Sequence, residues 1–268
     1  MEITFLGISG MLDKGFSSNI LLDLGISGSL LIDCGYDILE SLEANNRSVE
    51  KIDNIYISHL HGDHCGGLER VAFYKYFLQD KKKTTLFIHE SLVDDLWSML
   101  RPSLQYKSEG VHTMDDYFDI RSIKNDKSFM IGQHNFRLIK NKHVDSDTKS
   151  MFSYGLVHDR SMSYEYQNKN ESPEIKKIYY STDTMNILVS KKWPEHIKED
   201  VLSCDLFFHE CSFIETPVHA FYDDLKKLSE DIRKKMYLYH YSLISGISVS
   251  SVSKYFAGLI KSGEVIRI

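Results

Sequence analysis

The chain has 268 residues, of which 42% are hydrophobic and 26% charged, and its formal net charge is −6. A chain of this length and composition can bury one large core, so we expect a single domain over residues 1–268. The acidic balance argues against a protein that holds a long nucleic acid, because such proteins present a basic surface to the phosphates.

Cysteine usage and hydropathy indicate the compartment. The four cysteines are widely spaced and form no Cys-x-x-Cys pair, which argues against a disulfide framework and against a zinc ribbon. They are Cys34, Cys65, Cys204 and Cys211. No apolar run approaches the roughly 20 residues of a membrane span. The first seven residues alternate as a strand does and do not resemble a secretion signal. We therefore expect a cytoplasmic protein without a membrane partner.

The first half of the chain alternates between strand-like and helix-like patterns. Its predicted elements, in chain order, are strands at 3–6, 19–24 and 29–33, a helix at 38–42, a strand at 52–58, a helix at 68–78, a strand at 85–89 and a helix at 92–100. Pro102 should end the last helix, because proline lacks the N–H that a helix interior needs. This order is typical of a β-meander that continues into an α/β unit.

The second half follows the same order of elements. Alternating runs within residues 129–138 flank a Gly-Gln-His-Asn turn and predict a hairpin. Residues 161–176 are strongly polar and predict an exposed loop or a hairpin tip. Each of the last three strands leads into a histidine or an aspartate, where α/β folds place ligands. The strands predicted after the hairpin are 151–157, 178–181, 206–209 and 236–239.

The most informative stretch of the sequence is His59-Leu60-His61-Gly62-Asp63-His64. Neither the helix period nor the strand period turns offsets of zero, two, four and five toward one side, so the four donors belong on a tight loop. A divalent cation is the usual compensation for crowding imidazoles and a carboxylate in this way. The loop therefore predicts half of a metal site, and we expect a dinuclear one.

The remaining ligands of such a site must come from other parts of the chain. His143 follows the predicted hairpin, Asp183 follows the strand at 178–181, and His240 follows the strand at 236–239. A single histidine at a strand end is more often a surface residue than a ligand. We therefore interpret these three residues as ligands only because they occur together with the first loop.

The order of these residues resembles the metallo-β-lactamase superfamily over essentially the whole chain. The motif His59-x-His61-x-Asp63-His64 stands between Asp33 upstream and the three candidates downstream. The resemblance implies an α/β (α+β) fold, a four-layer αββα sandwich of two mixed β-sheets flanked by helices. By the same resemblance, Asp33 organises the loop and is not itself a ligand.

The resemblance also implies two divalent metal ions and their ligands. His59, His61 and His143 would bind one ion. Asp63, His64 and His240 would bind the other, Asp183 would bridge them, and Asp63 would belong to the catalytic set. Imidazole and carboxylate donors without a thiolate suit zinc best, although manganese or iron fits the same set.

Segments further along the chain are similar to the tRNase Z branch of the superfamily. Residues 208–213 resemble its His-Glu-Ala-Thr loop, and His219 lies 21 residues before His240, near the place of its His-Ser-Thr loop. This resemblance assigns His219 as proton donor to the leaving group and Glu210 as the residue that fixes its tautomer. Ser153 and Tyr154 also lie in a segment similar to that branch, and we expect them to contact the substrate.

A small substrate suits the chain better than an RNA. The sequence is acidic and has no evident basic arm, and it looks similar to the compact phosphodiesterases of this superfamily that open cyclic nucleotides, the phage anti-Pycsar enzymes among them. The resemblance implies hydrolysis of 3′,5′-cyclic mononucleotides, including cyclic pyrimidine messengers, to 5′-nucleotides, and a role against cyclic-nucleotide immune signalling. It also implies a homodimer.

Three other functions stay open at this point. A tRNase Z-like endonuclease that matures tRNA 3′ ends would use the same residues. A thioester or lactone hydrolase would use the metal loop but has little need of His219. A binding module that sequesters nucleotides would keep the fold without catalysis.

Overall fold

The computed structural model describes residues 1–108, 110–124, 127–160, 175, 177–185, 188, 194–242 and 249–268. The chain divides into two compact units. The first comprises Met1–Asn125 and Ser262–Arg267, and the second comprises Asp126–Lys261 with Ile268. Each unit contains one seven-stranded sheet. That the two units make a single domain stays a prediction.

The strands of the described residues are β1 Glu2–Phe5, β2 Ile20–Asp23, β3 Ser29–Ile32, β4 Asn54–Ile57, β5 Thr84–His89, β6 Tyr106–Lys107, β7 Gly110–Val111, β8 Phe118–Ile123, β9 Ser128–Ile131, β10 His134–Val144, β11 Met151–Arg160, β12 Lys177–Tyr180, β13 Leu206–Glu210, β14 Met236–Tyr239, β15 Gly258–Leu259 and β16 Val265–Arg267. The α-helices are α1 Ile38–Ala44, α2 Gly62–Cys65, α3 Leu68–Leu78, α4 Val93–Leu104, α5 Glu195–Leu202, α6 Tyr222–Leu225, α7 Glu230–Arg233 and α8 Val249–Ser253. Single 3₁₀ turns span Gly25–Ser27, Val49–Lys51, Glu90–Leu92 and Met114–Asp116.

The sheet of the first unit has the order β16-β1-β2-β3-β4-β5-β8. Its first three pairings are antiparallel and its last three are parallel. The carboxyl ends of β3, β4 and β5 consequently lie at the same edge. The chain leaves that edge at Asp33, at Ser58 and after His89, which brings the predicted metal loop to the carboxyl edge of a parallel half-sheet.

The sheet of the second unit has the same division. Its order is β15-β14-β13-β12-β11-β10-β9, with parallel pairings from β15 to β12 and antiparallel pairings from β12 to β9. The parallel strands β12, β13 and β14 end together, and Asp183, Glu210 and His240 lie at or just beyond their carboxyl ends. The predicted α/β fold class, with two mixed β-sheets and helices, is confirmed.

Helix α3 shows how the sequence builds the core of the first unit. Its buried residues recur at helical spacing, and its apolar ones belong to one cluster with Leu96 and Leu100 of α4. Lys75 lies on this face, where its Nζ donates to the carbonyl of Ile52 at 2.7 Å. Burial lowers the pKa of Lys75 to about 8. The buried residues of the helix are Leu68, Val71, Ala72, Lys75 and Tyr76.

Two of the predicted elements end at other residues in the structure. The prediction that Pro102 ends the helix at 92–100 is wrong, because α4 continues to Leu104. Pro102 stands in the last turn, where its missing N–H removes one intrahelical bond, while Leu104 is fully buried beyond it. The predicted hairpin is confirmed, although β10 extends to Val144. Apart from Ile175, the predicted polar loop at 161–176 lies outside the described residues.

Among the described residues, no helix is both long and apolar enough to cross a membrane.

Close backbone contacts fix the loop that follows β4 in the first unit. The Cys34 N–H donates to the carbonyl of His64 at 2.7 Å, and the Gly67 N–H donates to the carbonyl of Cys34 at 2.9 Å. A Cβ atom on Gly67 would lie 2.2 Å from the carbonyl oxygen of Gly35 and 2.7 Å from Cγ2 of Ile38. Glycine is therefore required at position 67 by the approach of two backbone segments.

We expect Gly67→Ala to lower the free energy of unfolding of the metal-free protein by about 1–3 kcal/mol, because the added methyl group overpacks this contact. Urea denaturation measures the change. Gly62→Ala is the matched control in the same loop, since the nearest heavy atom to its Cβ would be 3.9 Å away. Equal stability of the two variants would contradict the close approach.

Candidate metal centre

Asp33 organises the histidine loop of the first unit. It directly follows β3 with a φ of 64°, and its carboxylate is buried. Oδ1 accepts the Ser58 N–H at 2.8 Å, while Oδ2 accepts the Ser58 hydroxyl at 2.9 Å and His64 Nδ1 at 2.8 Å. The ends of β3 and β4 and the turn of α2 are thereby tied to one carboxylate.

These hydrogen bonds determine the tautomers of two histidines. His64 Nδ1 carries the proton that it donates to Asp33, so its Nε2 holds the lone pair. The single hydroxyl proton of Ser58 is used toward Asp33, and the Ser58 oxygen therefore accepts from His59 Nδ1 at 3.0 Å. His59 consequently also presents an unprotonated Nε2, the form of imidazole that binds metal.

The donor atoms of the loop lie close to one another. His59 Nε2 is 3.2 Å from His61 Nδ1, and His64 Nε2 is 3.4 Å from Asp63 Oδ2. Three of these four side chains are buried, and His61 is half-buried. Imidazole nitrogens and carboxylate oxygens are the donors that a divalent cation such as zinc takes in proteins, so both close pairs of side chains are ligand candidates.

The predicted ligands of the second unit gather around the Asp183 carboxylate. His240 Nε2 is 3.2 Å from Asp183 Oδ1, and His143 Nε2 is 3.7 Å from Asp183 Oδ2. His143 Nδ1 donates to the carbonyl of Val218 at 3.0 Å, which leaves its Nε2 as the donor to a cation. His219 Nδ1 lies 4.0 Å from Asp183 Oδ2. Asp183, His219 and His240, which all belong to the second unit, form a group that could hold a divalent cation.

The backbone at this edge adopts uncommon conformations. Thr182, immediately before Asp183, has a φ of 51°, and His240 has a φ of 50°. Such values are rare for side chains larger than glycine, asparagine and aspartate, and they concentrate at functional sites. The Thr182 N–H donates to the hydroxyl oxygen of Tyr239 at 3.1 Å. The residue before Asp183 is therefore joined directly to the residue before His240.

Glu210 and His219 form a hydrogen-bonded pair beside Asp183. Glu210 Oε2 accepts from His219 Nδ1 at 2.7 Å, and its Oε1 accepts the N–H groups of Thr184 at 2.8 Å and Ala220 at 3.1 Å. Burial raises the pKa of Glu210, and the neighbouring His219 acts against that shift. The Glu210 side chain is 0% exposed and the His219 side chain 27% exposed, so the histidine alone can reach a ligand from solvent.

Two further predicted residues lie behind this set. The Ser153 hydroxyl donates to the main-chain carbonyl of Asp183, and Tyr154 is buried in β11. Their contact with substrate stays a prediction, and Ser153 has a structural partner in the Asp183 loop.

His209 is buried with its Nδ1 2.7 Å from the carbonyl oxygen of Glu210, and burial lowers its pKa to about 4.

Known proteins of similar sequence identify the family. The family model described as Anti-Pycsar protein Apyc1 matches residues 1–266 of the chain. The chain belongs to the Apyc1 family. The anti-Pycsar protein Apyc1 of Bacillus phage 010DV004 is 32% identical to it over 252 residues, which cover 90% of this chain and 89% of the phage protein. The predicted resemblance to anti-Pycsar proteins is confirmed.

Solved structures show the fold of this Apyc1-family chain. The metallo-β-lactamase fold protein YhfI of Bacillus subtilis superposes with a TM-score of 0.69 at 17% identity, covering 99% of this chain and 98% of YhfI. The short form of human tRNase Z superposes with a TM-score of 0.64 at 19% identity, covering 100% of this chain and 99% of that chain. The predicted metallo-β-lactamase fold is confirmed.

The sequence did not indicate every residue that positions the ligand candidates of the Apyc1-family chain. Ser58 and Tyr239 each precede a ligand candidate at the end of a strand, and Val218 acts through its carbonyl. A serine between a buried strand and a histidine motif is a signal that could have been used. A main-chain carbonyl leaves no signal in the sequence.

We expect Asp33→Asn to lower metal affinity by 10- to 100-fold, because an amide has one acceptor oxygen and would place its NH2 group against a donor at the position of either Oδ1 or Oδ2. Calorimetric titration of the apoprotein with zinc or manganese measures the change. Asp23→Asn is the control, since Asp23 caps an exposed turn at the other end of the same sheet. Unchanged affinity in Asp33→Asn would contradict the organising role of this carboxylate.

Proposed function

We propose that this chain is a metal-dependent phosphodiesterase that hydrolyses 3′,5′-cyclic nucleotides to 5′-nucleotides. The observation that supports the proposal most directly is the hydrogen bond between buried Glu210 and partly exposed His219, beside the metal-ligand candidate Asp183. Membership of the Apyc1 family agrees with it, since the relatives are named anti-Pycsar proteins. A role against cyclic-nucleotide immune signalling follows from the same family.

The proposal assigns the donors of both units to two divalent cations. His59, His61 and His143 would hold one cation. Asp63, His64 and His240 would hold the other, and Asp183 would bridge them. Two such cations supply a nucleophile at neutral pH and positive charge beside the phosphoryl oxygens. The fixed Nδ1 protons of His59, His64 and His143 favour this assignment, because they leave the Nε2 atoms as donors.

His219 has the properties of the proton donor that such a reaction needs. A departing ribose 3′-oxygen is a poor leaving group unless it is protonated as the bond to phosphorus breaks. Glu210 holds Nδ1–H of His219, so a protonated ring would give its second proton, at Nε2, to the leaving group. The Glu210 carboxylate also favours the charged imidazole that carries this proton.

A small substrate agrees better with the chain than a tRNA. The net charge of −6 gives little support to the phosphate contacts that a long RNA requires. We also expect a homodimer. A reducing cytoplasm is expected as well, and it agrees with the finding that all four cysteines are free and buried.

We expect His219→Ala to retain its metal but to lose 10²–10⁴-fold in the rate of cyclic-nucleotide hydrolysis. With the p-nitrophenyl ester of thymidine 5′-phosphate the loss should be small, because that leaving group departs without a proton. Steady-state kinetics on both substrates, with metal analysis of each protein, measure the difference. His196→Ala on the exposed side of α5 is the control. Loss of metal in His219→Ala, or equal losses on both substrates, would refute the role of proton donor.

We expect Asp183→Ala to lose at least one equivalent of metal together with the activity, because the proposed bridge is removed. Elemental analysis after loading with zinc and desalting measures the stoichiometry. Asp231→Ala on the exposed helix α7 controls for the general loss of a carboxylate. Retention of two equivalents in Asp183→Ala would contradict the bridging assignment.

The substrate class is tested on the zinc-loaded and the manganese-loaded protein. A panel of cyclic UMP, cyclic AMP, a cyclic dinucleotide and a precursor tRNA separates the proposed activity from that of a tRNase Z-like endonuclease. Conversion of cyclic mononucleotides to 5′-nucleotides supports the proposal. Cleavage of the precursor tRNA alone, or tight binding of a cyclic nucleotide that is released unchanged, overturns it.

A further inference from the structure

The connection between β1 and β2 emerges at the same edge of the first sheet as the histidine loop. Phe5 at the end of β1 pairs with Ile20 at the start of β2, and Ile20 pairs with Ile32 at the end of β3. The next residue, Asp33, donates its N–H to the carbonyl of Tyr56 at 2.8 Å. The connection therefore lies at the carboxyl ends of β3 and β4, where the metal-ligand candidates begin.

Two adjacent apolar side chains of this connection are exposed. Leu12 is 95% exposed and Met11 is 47% exposed. Single exposed apolar residues are common on protein surfaces and need no explanation. The position of this pair is the unusual feature, because a Cβ atom on Gly62 would lie 3.9 Å from Cε of Met11. Gly62 stands between His61 and Asp63, so the thioether lies against the proposed metal loop.

Hydrogen bonds within the connection define its conformation. The N–H groups of Ile8 and Ser9 donate to the carbonyl of Phe16 at 3.1 and 3.0 Å, and the Asp13 N–H donates to the carbonyl of Gly10 at 3.1 Å. The turn from Gly10 to Asp13 therefore has Met11 and Leu12 at its tip. A hydrogen-bonded turn therefore presents the two side chains, and Met11 places it beside the histidine loop.

We propose that Met11 and Leu12 form the apolar surface on which the nucleobase of the substrate rests. This inference depends on the proposed function, because it requires a nucleotide whose phosphate lies at the histidine loop. A planar base gains from contact with a polarisable thioether and with an aliphatic side chain, and neither contact reads hydrogen-bonding groups. The two residues would thus favour nucleotides over simple phosphodiesters and tolerate both pyrimidines and purines.

The test compares two substrates that share the cyclic phosphate and differ in the base. One is 3′,5′-cyclic UMP and the other is methyl β-ribofuranoside 3′,5′-cyclic phosphate, with hydrolysis followed by phosphorus NMR. We expect Met11→Ala with Leu12→Ala to raise KM for cyclic UMP by roughly two- to tenfold. The same variant should leave kcat, metal content and the KM for the methyl riboside unchanged. The single variant Met11→Leu, which keeps Leu12, should have a KM for cyclic UMP close to that of the unmodified protein.

Ile26→Ala provides the matched control. Ile26 is a fully exposed apolar residue of the same unit, in the turn between β2 and β3 at the opposite end of the strands. A rise in KM for cyclic UMP in the Met11 and Leu12 variant alone supports the inference. An unchanged KM, or an equal rise for both substrates, overturns the inference while the proposed function stands. Failure of the unmodified protein to hydrolyse cyclic UMP overturns the proposed function instead.

Discussion

Each unit depends on one buried carboxylate that collects hydrogen bonds from the loops at the carboxyl edge of its sheet. Asp33 accepts three donors in the first unit, and Glu210 accepts three in the second. A carboxylate is acceptor-only when ionised, so donors from separate loops can share it without competing for a proton. Loss of either carboxylate would leave several buried donors unsatisfied, at a cost of about 1–3 kcal/mol for each.

The same contacts determine which nitrogen of each imidazole carries a proton. His59, His64, His143 and His219 are all held at Nδ1, by a hydroxyl, a carboxylate or a carbonyl. The reactive Nε2 atoms are therefore directed by protein groups and do not depend on a cation for their tautomers. A hydrogen bond at Nδ1 therefore fixes both the proposed ligands and the proposed proton donor. Their roles differ through the exposure of the ring and through the partner of Nδ1.

Much of this arrangement could be predicted from local pattern. The bounds of α3 and β14 were predicted to the residue, because apolar spacing and turn residues specify long helices and short buried strands well. The helix end at Pro102 was wrong because burial of Leu104 outweighs one lost hydrogen bond. The hydroxyl of Tyr239 and the carbonyl of Val218 could not be predicted, since their partners are 57 and 75 residues away in the chain.

The positive φ angles of Asp33, Thr182 and His240 follow from the way the chain turns at the ends of buried strands. In each case the chain leaves a buried parallel strand and must turn at once, which places the residue at positive φ. Hydrogen bonds to neighbouring loops stabilise such conformations, as the Thr182 N–H does with the Tyr239 hydroxyl. Because Tyr239 immediately precedes His240, a shift of the loop at Asp183 would disturb the loop at His240. The positions of Asp183 and His240 are thus coupled through the protein itself, which lowers the ordering cost of binding a cation.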